Sequence, residues 1–270
     1  MKPKLICSDI DGTLLNKNRE LSERTIHAIN NMAPIPFVLI SSRMPKAMYH
    51  LQNELSIEET PIIAYNGALI LEKNKIVYST EINLKTIKNI VNFCSNTNLH
   101  TSLYHNNEWY VPSFDYWAKR ESQNTKVEPC VQSLHTTLKN WKDERKAAHK
   151  IMIMGDEKEI NALSDWLNLN YHESIISYRS KPSYLEIAPR SVSKKTAIKK
   201  LIQHKYSNII FSEVIAFGDN YNDIEMLKSV GIGVAVRNAK KEVLEIADQI
   251  TASNIEDGVA KFLEKTLNAY

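Results

Sequence analysis

The sequence predicts an α/β fold, with a parallel-sheet core into which a smaller α+β domain is inserted. Near both ends of the chain, short apolar runs alternate with amphipathic helical patterns, which is typical of a parallel sheet covered on both faces. The middle of the chain changes to pairs of short strands joined by turns. A length of 270 residues also fits two domains, because a single domain usually holds about 100–200 residues.

The chain begins with a predicted strand over Lys4–Ser8 that leads into an acidic turn. Asp9 and Asp11 are two residues apart, so on extended chain their side chains point the same way. Gly12 permits a sharp turn after them, and Thr13 adds a hydroxyl. Asp-Gly pairs are common in ordinary turns. Two carboxylates at the carboxyl end of a strand also suit a hard cation and covalent or acid–base chemistry.

Strands and helices alternate in the segment that follows. The predicted elements are a helix over Leu21–Met32 with Ser22 as its N-cap, a strand over Phe37–Ile40, a helix that begins near Pro45 and runs through Leu55, and strands over Pro61–Ala64 and Lys75–Thr80. The ligand crevice of a parallel sheet lies outside the carboxyl ends of its strands. We therefore expect Ser41 and Asn66, which follow two of these strands, to lie near Asp9 and Asp11.

The middle of the chain has a different pattern. Its predicted elements are a helix over Asn83–Cys94, a hairpin of Thr101–Tyr104 and Trp109–Val111, a strand over His149–Met154 followed by a helix through Leu167, and a hairpin of Ile175–Arg179 and Tyr184–Ala188. The charged stretch 121–148 is predicted to be irregular. Hairpins with two helices predict an α+β domain over residues 82–188, inserted into a core of residues 1–81 and 189–270.

The parallel-sheet pattern then resumes. Its predicted elements are a helix over Ser193–Tyr206, a strand over Val214–Phe217, a helix that begins near Ile224, a strand over Ile232–Val236 and a last strand over Asp248–Thr251. Lys194 lies in the first turn of its helix, where it opposes the helix dipole, which indicates a functional role or a solvated side chain. The run Gly-Asp-Asn-Tyr-Asn-Asp at 218–223 follows a strand, and helix caps explain only one or two of its residues. It can meet Asp9 and Asp11 if both strands share one sheet.

Composition excludes several other classes of protein. The net charge is +3, and without a long basic block nothing indicates nucleic-acid binding. The three cysteines, Cys7, Cys94 and Cys130, lack metal-ligand spacing, which is typical of free thiols in a reducing cytoplasm. No apolar run approaches the ~20 residues that span a bilayer, and no signal segment is evident. We expect a soluble, cytoplasmic protein without a membrane partner.

Taken in order and at these spacings, the motifs resemble those of the haloacid dehalogenase superfamily, in particular its Cof-type phosphatases of subfamily IIB. The matching motifs, from first to fourth, are residues 9–13, Ser41, Lys194 and residues 218–223. The stretches around Asn238 and over 254–259 also resemble this branch. The resemblance implies a Rossmann-like core and an α+β cap domain, inserted between the second and third motifs, that selects the substrate.

The resemblance also implies roles for the site residues. Asp9 is the nucleophile and a metal ligand, Asp219 binds the metal through its carboxylate, and Asp11 binds it through its backbone carbonyl. The Asp11 carboxyl also protonates the leaving alcohol and accepts a proton from the attacking water. The residues implied to bind the substrate phosphate are Ser41, Ser42, Lys194 and Asn222, and those implied to support the site are Thr13 and Asp223.

The charges of the reacting groups explain the implied metal. A carboxylate that attacks a phosphate ester meets a repulsion of ~4 kcal/mol, for like charges ~4 Å apart at an effective dielectric constant of ~20. A hard divalent cation offsets this repulsion, and Mg²⁺ prefers oxygen ligands while it keeps several waters. Mg²⁺ is therefore the expected cofactor.

Two residues depart from the pattern of the relatives. Ser42 stands where relatives usually have glycine, so a side chain occupies the room through which a backbone N–H approaches phosphate. Lys195 stands where relatives often have glycine. Neither departure removes a catalytic group.

These features predict a Mg²⁺-dependent phosphatase that hydrolyses small phosphorylated metabolites, such as sugar phosphates or similar monoesters, through an aspartyl-phosphate. One alternative is a phosphomutase of the same superfamily. Another is a phospho-accepting or phosphosugar-sensing protein without hydrolytic activity, although a stable phospho-aspartate gains nothing from an acid–base Asp11. No obligate protein partner is expected. Residues of the cap that fit either a sugar or base pocket or the hydrophobic core are Trp109, Tyr110, Tyr116, Trp117 and Arg179.

Overall fold

The structure is a computed structural model that describes residues 3–268. The chain forms two compact units, of which the core unit comprises Met1–Tyr78 and Ser193–Tyr270 and the inserted unit comprises Ser79–Val192. The core unit contains a parallel sheet, and the inserted unit contains a largely antiparallel sheet with helices. The predicted α/β class is therefore confirmed. The predicted cap, residues 82–188, lies within the inserted unit, and its role in substrate selection stays a prediction.

The first segment of the core unit follows the predicted order of strands and helices. Its elements are β1 (Leu5–Ser8), α1 (Glu23–Asn30), β2 (Phe37–Leu39), α2 (Tyr49–Leu55), β3 (Ile62–Ala64), β4 (Leu69–Glu72) and β5 (Lys75–Ser79). Ser22 caps α1 as predicted, because its Oγ accepts a hydrogen bond from the N–H of Thr25 at 3.0 Å. The second predicted helix is divided into a 3₁₀ turn over Pro45–Ala47 and α2.

The inserted unit contains four helices where the sequence predicted two. Its elements are α3 (Leu84–Cys94), β6 (His100–His105), β7 (Glu108–Val111), α4 (Tyr116–Thr125), β8 (Cys130–Val131), α5 (Leu134–Glu144), β9 (Lys150–Met154), α6 (Glu157–Tyr171), β10 (Ile175–Lys181) and β11 (Tyr184–Pro189). The prediction that 121–148 is irregular is wrong. Helix α5 forms there because Leu134, Leu138 and Trp141 recur at helical spacing and are all buried.

The last segment returns to the core unit. Its elements are α7 (Lys194–Lys205), β12 (Val214–Gly218), α8 (Ile224–Leu227), β13 (Ile232–Val236), α9 (Lys241–Ile246), β14 (Gln249–Thr251) and α10 (Gly258–Asn268). The sequence analysis did not identify α9 and α10. Among the described residues α6 is the longest helix, with 15 residues, and no helix combines the length and apolar character needed to cross a membrane.

The main sheet of the core unit has the strand order β14-β13-β12-β1-β2, and all its strands are parallel. The interior strand β1 is completely buried, with Cys7 paired to Ala216 of β12 on one side and to Val38 of β2 on the other. Because the strands are parallel, the loops that follow β1, β2 and β12 emerge side by side at one edge of the sheet.

Strand β3 does not continue the main sheet as the sequence pattern suggested. It contacts the main sheet through one parallel bridge, Ile40 to Ile63, and then pairs antiparallel with β4. The reversal occurs at Tyr65, Asn66 and Gly67, which all have positive φ values of 53°, 55° and 109°. The apolar run that follows Gly67 therefore forms a strand of a separate three-stranded sheet, β3-β4-β5.

The sheet of the inserted unit has the order β10-β11-β9-β6-β7-β8. Side chains alternate between its two faces. One face, which includes Leu103 and Ile151, packs in a single hydrophobic cluster with α3, α5 and α6. The other face carries polar and aromatic side chains of β6, such as Ser102 and Tyr104.

The three cysteines lie in different environments. Cys7 and Cys94 are buried and Cys130 is exposed. Burial raises the pKa of the Cys7 thiol far above its usual range and raises the pKa of Cys94 to about 11. The two buried thiols are therefore protonated at neutral pH.

Candidate active site

The first and fourth motifs meet at the carboxyl edge of the main sheet. Asp9 follows β1 directly, and its backbone N–H donates to the carbonyl of Phe217 on β12 at 3.0 Å. Because Ser8 pairs with Phe217, the residues that continue the two strands are neighbours. The structure thus brings Asp9 beside Asp219, as expected if both strands share one sheet.

Lys194 joins the third motif to this edge. It is the first residue of α7, its side chain is completely buried, and its Nζ contacts Oδ1 of Asp9 and Oδ1 of Asp223, the latter at 2.6 Å. Burial alone would lower the pKa of Lys194, but the charges of Asp223 and Asp9 and their hydrogen bonds raise it. Lys194 is therefore a permanently charged ammonium group. Its contacts with the carboxylates of Asp9 and Asp223 offset the unfavourable position of a positive charge in the first turn of a helix.

Asp223 braces the loop of the fourth motif. Its Oδ2 accepts hydrogen bonds from the N–H groups of Asp219 at 2.9 Å and Asn220 at 3.0 Å, while its Oδ1 binds Lys194. A Cβ on Gly218 would lie 2.5 Å from the Cβ of Asp223, so only glycine leaves room for this carboxylate. Both oxygens of Asp223 are occupied by protein donors.

Asp219 is held from the opposite side by the first motif. Its Oδ1 accepts a hydrogen bond from the hydroxyl of Thr13 at 2.9 Å. Burial, followed by the charge of Asp223, raises the pKa of Asp219 to about 6. Gly12 has φ +86°, and a Cβ there would lie 2.5 Å from Oδ2 of Asp219. Thr13 therefore contacts Asp219 directly, and its supporting role stays a prediction.

Asp9, Asp219 and Asp223 form what we call the acidic trio, in which one carboxylate oxygen from each residue lies within 4.8 Å of the others. Burial raises the pKa of Asp9 well above its usual range, and although Lys194 lowers it, Asp223 and Asp219 raise it further. Three carboxylates thus share one ammonium group. A cation with a preference for oxygen ligands would relieve the remaining repulsion.

Asp11 lies in the opposite electrostatic environment. Arg43 donates to both of its carboxylate oxygens, from Nε to Oδ2 at 2.7 Å and from Nη2 to Oδ1 at 2.8 Å, and Arg19 donates to Oδ1 at 2.7 Å. Burial acts to raise the pKa of Asp11, but the hydrogen bonds and charge of Arg43, with the charge of Arg19, lower it below the usual value. The two arginines therefore hold Asp11 as a carboxylate.

Two of the predicted phosphate-binding residues, Ser41 and Asn222, are connected through Asn66. The amide of Asn222 donates to Oδ1 of Asn66 at 2.9 Å, and the backbone N–H of Asn66 donates to the carbonyl of Ser41 at 2.8 Å. The hydroxyl of Ser41 accepts from the N–H of Arg43 at 3.2 Å. Ser42 is half-buried beside them. The loops after β2, β3 and β12 thus form one hydrogen-bonded edge.

Sequence reasoning did not assign roles to Arg19, Arg43 and Asn66. Arg43 directly follows the second motif, and Asn66 was placed at the correct edge of the sheet. The contacts of the two arginines depend on side chains that reach across loops, which no periodic pattern encodes.

The inserted unit holds a second cluster of titratable groups, Glu81, His105 and His149, which we call the histidine trio. The Nδ1 of His105 lies 2.8 Å from the carbonyl of Ala147 and 3.3 Å from Glu81, so it carries a proton. The Nδ1 of His149 accepts from the N–H of Asn106 at 3.1 Å, so the proton of the neutral ring is on Nε2, which lies 2.9 Å from the hydroxyl of Ser79 and 3.9 Å from Glu81. Both of these nitrogens are thus donors with protein acceptors, Glu81 and the carbonyl of Ala147 for His105 and Ser79 for His149, so neither presents a lone pair to a metal.

The aromatic residues of the inserted unit divide between core and surface. Trp109 is buried and donates from its indole to Ser102 at 3.0 Å, whereas Tyr116 is 66% exposed. The rings of Tyr116 and Trp117 are 5.2 Å apart. Arg179 donates to the side chain of Asn161 and is exposed.

Comparison with known proteins identifies the family. A family model described as haloacid dehalogenase-like hydrolase matches residues 6–263. A Haemophilus influenzae protein with a provisional phosphatase name is 35% identical over 273 residues, covering 98% of each chain. The 5-amino-6-(5-phospho-D-ribitylamino)uracil phosphatase YitU of Bacillus subtilis is 30% identical over 283 residues, covering 98% of this chain and 97% of YitU.

A solved structure agrees with these sequence matches. The haloacid dehalogenase-like hydrolase from Bacteroides thetaiotaomicron is 29% identical, superposes with a TM-score of 0.88, and covers 98% of this chain and 99% of its own. The matches span both units, and the relatives are named as phosphatases and hydrolases. The chain is therefore an enzyme that hydrolyses phosphoric monoesters, and it belongs to the haloacid dehalogenase-like hydrolase family.

Proposed function

We propose that this enzyme is a Mg²⁺-dependent phosphatase of small phosphorylated metabolites, such as sugar phosphates, and that it acts through an aspartyl-phosphate on Asp9. The observation that carries the proposal is the position of Asp9. It is a buried carboxylate at the carboxyl end of the interior strand β1, in contact with the ammonium group of Lys194 and part of the acidic trio. This combination provides a nucleophile, a fixed positive charge and an oxygen-rich environment for a cation.

The donors in the acidic trio fit Mg²⁺. All are carboxylate oxygens, and the pKa values of Asp9 and Asp219 are raised by burial and by neighbouring carboxylates, which a divalent cation would reverse. Asp9, Asp219 and the backbone carbonyl of Asp11 would hold the ion. Because both oxygens of Asp223 already bind protein donors, we assign it to support of the loop. When bound, Mg²⁺ would supply positive charge that offsets the repulsion of the Asp9 carboxylate and the phosphate.

In the first step, a carboxylate oxygen of Asp9 forms a bond to phosphorus and the bond from phosphorus to the ester oxygen breaks. The leaving oxygen takes its proton from the carboxyl group of Asp11. Lys194 stays charged throughout, since its pKa is raised by Asp223 and Asp9, and it stabilises the charge on the transferring phosphoryl oxygens. We assign Ser41, Ser42 and Asn222 to the same oxygens.

In the second step, water attacks phosphorus, its proton passes to Asp11, and the bond between phosphorus and Asp9 breaks to release phosphate. The contact with Arg43 favours the carboxylate form of Asp11, which is the form that accepts this proton. The first step needs Asp11 protonated, so we expect substrate binding to draw the Asp11 carboxyl group away from Arg43.

The class of substrate is inferred from a relative. YitU is named for a substrate that carries its phosphate on a ribityl chain, a small sugar alcohol. This name supports small polyol and sugar phosphates as the class to test first. We propose that residues 82–188 select among them.

The test is phosphate release from a panel of phosphorylated metabolites, with Mg²⁺ and with EDTA. We expect metal-dependent release from a subset of the panel. Acid quenching during turnover should trap phosphate on Asp9, and product analysis should show free phosphate with no phosphoryl group returned to another position of the substrate. A returned phosphoryl group would instead indicate a mutase. Release that persists in EDTA, or a phosphorylated residue other than Asp9, would contradict the proposal.

A further inference from the structure

Two asparagines near the end of the chain contact the catalytic loop that follows β1. The amide of Asn238 donates to the carbonyl of Gly12 at 2.8 Å, and the amide of Asn254 donates to the carbonyl of Leu15 at 2.7 Å. The two asparagines are themselves connected, because Oδ1 of Asn238 accepts from the backbone N–H of Asn254 at 2.9 Å. We call this set of contacts the asparagine clamp.

The clamp acts on the short turn that follows β1, which also has hydrogen bonds of its own. Within the turn, the carbonyl of Ile10 accepts from the N–H groups of Leu14 at 3.0 Å and Leu15 at 3.1 Å. The carbonyls of Gly12 and Leu15 accept hydrogen bonds from the two asparagine amides. The backbone that follows Asp11 is therefore held at two carbonyl groups.

The two asparagines of the clamp lie in loops that follow strands of the main sheet. Asn238 follows β13 and Asn254 follows β14, the two strands on the far side of β12 from β1. The loop that bears Asn238 also contacts the acidic trio directly, because the N–H of Lys240 donates to the backbone carbonyl of Asp219 at 2.9 Å. Asn254 opens a 3₁₀ turn that is closed by a hydrogen bond from Ser253 to Glu256 at 2.6 Å. A firmly folded segment thus holds the catalytic loop.

We propose that Asn238 and Asn254 are positioning residues that hold the backbone of the Asp11–Leu15 turn in the shape that binds the catalytic metal ion. The proposal rests on the proposed function, in which the carbonyl of Asp11 and the carboxylate of Asp219 are metal ligands. Asn238 orients the peptide group next to that carbonyl, and its loop orients Asp219. The asparagines themselves touch neither the substrate nor the metal.

The partners of Asn238 determine which substitution is informative. Its Oδ1 faces a backbone N–H and its Nδ2 faces a backbone carbonyl, so its orientation is fixed by groups of known polarity. Asn238→Asp keeps the acceptor for Asn254 and replaces the donor to Gly12 with an oxygen. An added negative charge near a cation site by itself tightens cation binding. Weaker binding in this variant would therefore report the lost hydrogen bond and not the charge.

The experiment is calorimetric titration of the full chain with Mg²⁺, for wild type, Asn238→Asp and Asn254→Ala. We expect the Kd for Mg²⁺ to rise roughly three- to tenfold in each variant, the effect of losing one hydrogen bond to a positioned group. Asn208→Asp, an exposed asparagine of the core unit, is the matched control and should keep the wild-type Kd. Since Asn238 is exposed, its variant should unfold within a few degrees of wild type.

Each outcome decides between the two proposals. A wild-type Kd in both clamp variants, or an equal loss in Asn208→Asp, would overturn the clamp and leave the proposed function intact. Clamp variants that unfold at the assay temperature would overturn it as well, since the asparagines would then act on stability. A wild type that does not bind Mg²⁺ would contradict the proposed function itself.

Discussion

The two units each contain a trio of titratable side chains whose atoms lie within 4.8 Å of one another, the acidic trio of the core unit and the histidine trio of the inserted unit. The acidic trio sits at the ends of adjacent parallel strands and shares one ammonium group among three carboxylates. In the histidine trio a single carboxylate, Glu81, lies 3.3 Å from the protonated Nδ1 of His105, and the Nε2 of His149 is paired with the hydroxyl of Ser79.

The difference shows that proximity alone does not make a metal site. A cation is favoured where the negative charge of the carboxylates exceeds the positive charge and the hydrogen-bond donors that surround them. Around the acidic trio, negative charge exceeds positive charge and the pKa of Asp219 is raised to about 6, so a cation is favoured. Around the histidine trio, burial, followed by the charge of His105, lowers the pKa of His149 to about 4, and that ring stays neutral. The ring protons of this cluster already have protein acceptors, which are Glu81, the carbonyl of Ala147 and the hydroxyl of Ser79.

The largest expected effect is on the nucleophile. Asp9→Asn should reduce the turnover number by about 10⁴-fold or more, because the amide cannot form the aspartyl-phosphate. The fold should survive, since the amide oxygen can still accept a hydrogen bond from Lys194, which keeps Asp223 as its counter-charge. Single-turnover phosphate release and thermal unfolding of the same preparation provide the measurement. A variant with substantial activity would sink the assignment of Asp9.

Removing the shared ammonium group should have the largest effect on stability. Lys194→Met leaves Asp9 and Asp223 buried without a counter-charge, which should lower the free energy of unfolding by about 3–5 kcal/mol. Lys195→Met is the matched control, because this neighbouring lysine is exposed. Denaturant unfolding measures both. Equal stability of the two variants would show that Lys194 does not stabilise the acidic trio.

The two trios should respond differently to a divalent cation. Mg²⁺ at ten times its Kd should add about 1.4 kcal/mol to the stability of the wild type. This gain should be lost in Asp219→Asn and kept in His105→Gln. Thermal unfolding with and without Mg²⁺ measures it. Loss of the gain in His105→Gln would mean that the histidine trio binds the ion.

The smallest expected effect concerns the histidine trio. Burial acts to lower the pKa of His105, but its hydrogen bonds to Glu81 and to the carbonyl of Ala147 raise it above its ordinary 6.5. This contribution to stability is complete below the unfolded pKa of about 6.5 and is lost as pH rises through the folded pKa. Glu81→Gln should therefore cost up to about 1 kcal/mol near pH 6 and less near pH 8.5.

Unfolding of Glu81→Gln and wild type across this pH range gives the measurement. Glu128→Gln is the control, since it removes an exposed carboxylate of the same unit. A cost that grows with pH would contradict the expected sign.

The predictability of the two units differs for physical reasons. In the core unit, strand patterns place Asp9 and Asp219 each at the carboxyl end of a strand, and the two were predicted to meet if both strands share one sheet, as they do here. The contact between Arg43 and Asp11 was not predictable, since long side chains have many accessible rotamers and tertiary contacts select one. Strand β4 was missed because the reversal depends on positive φ values at three successive residues.

In the inserted unit, the hairpins were predictable and α5 was not. The apolar residues of α5 recur at helical spacing but are few, and the polar and charged residues between and after them make the segment resemble a solvated loop. The helix forms because Trp141 and its apolar neighbours are buried against α3 and the sheet. Tertiary packing, which local sequence does not report, supplies most of its stability.

The cysteines have a practical consequence for spectroscopy. Thiolates react with maleimides, and the buried Cys7 and Cys94 have raised pKa values and no access to reagent. The exposed Cys130 lies in the inserted unit. A maleimide dye would therefore label the chain at one position, and its fluorescence would report on the surroundings of Cys130 in the inserted unit during turnover, with no engineered residue.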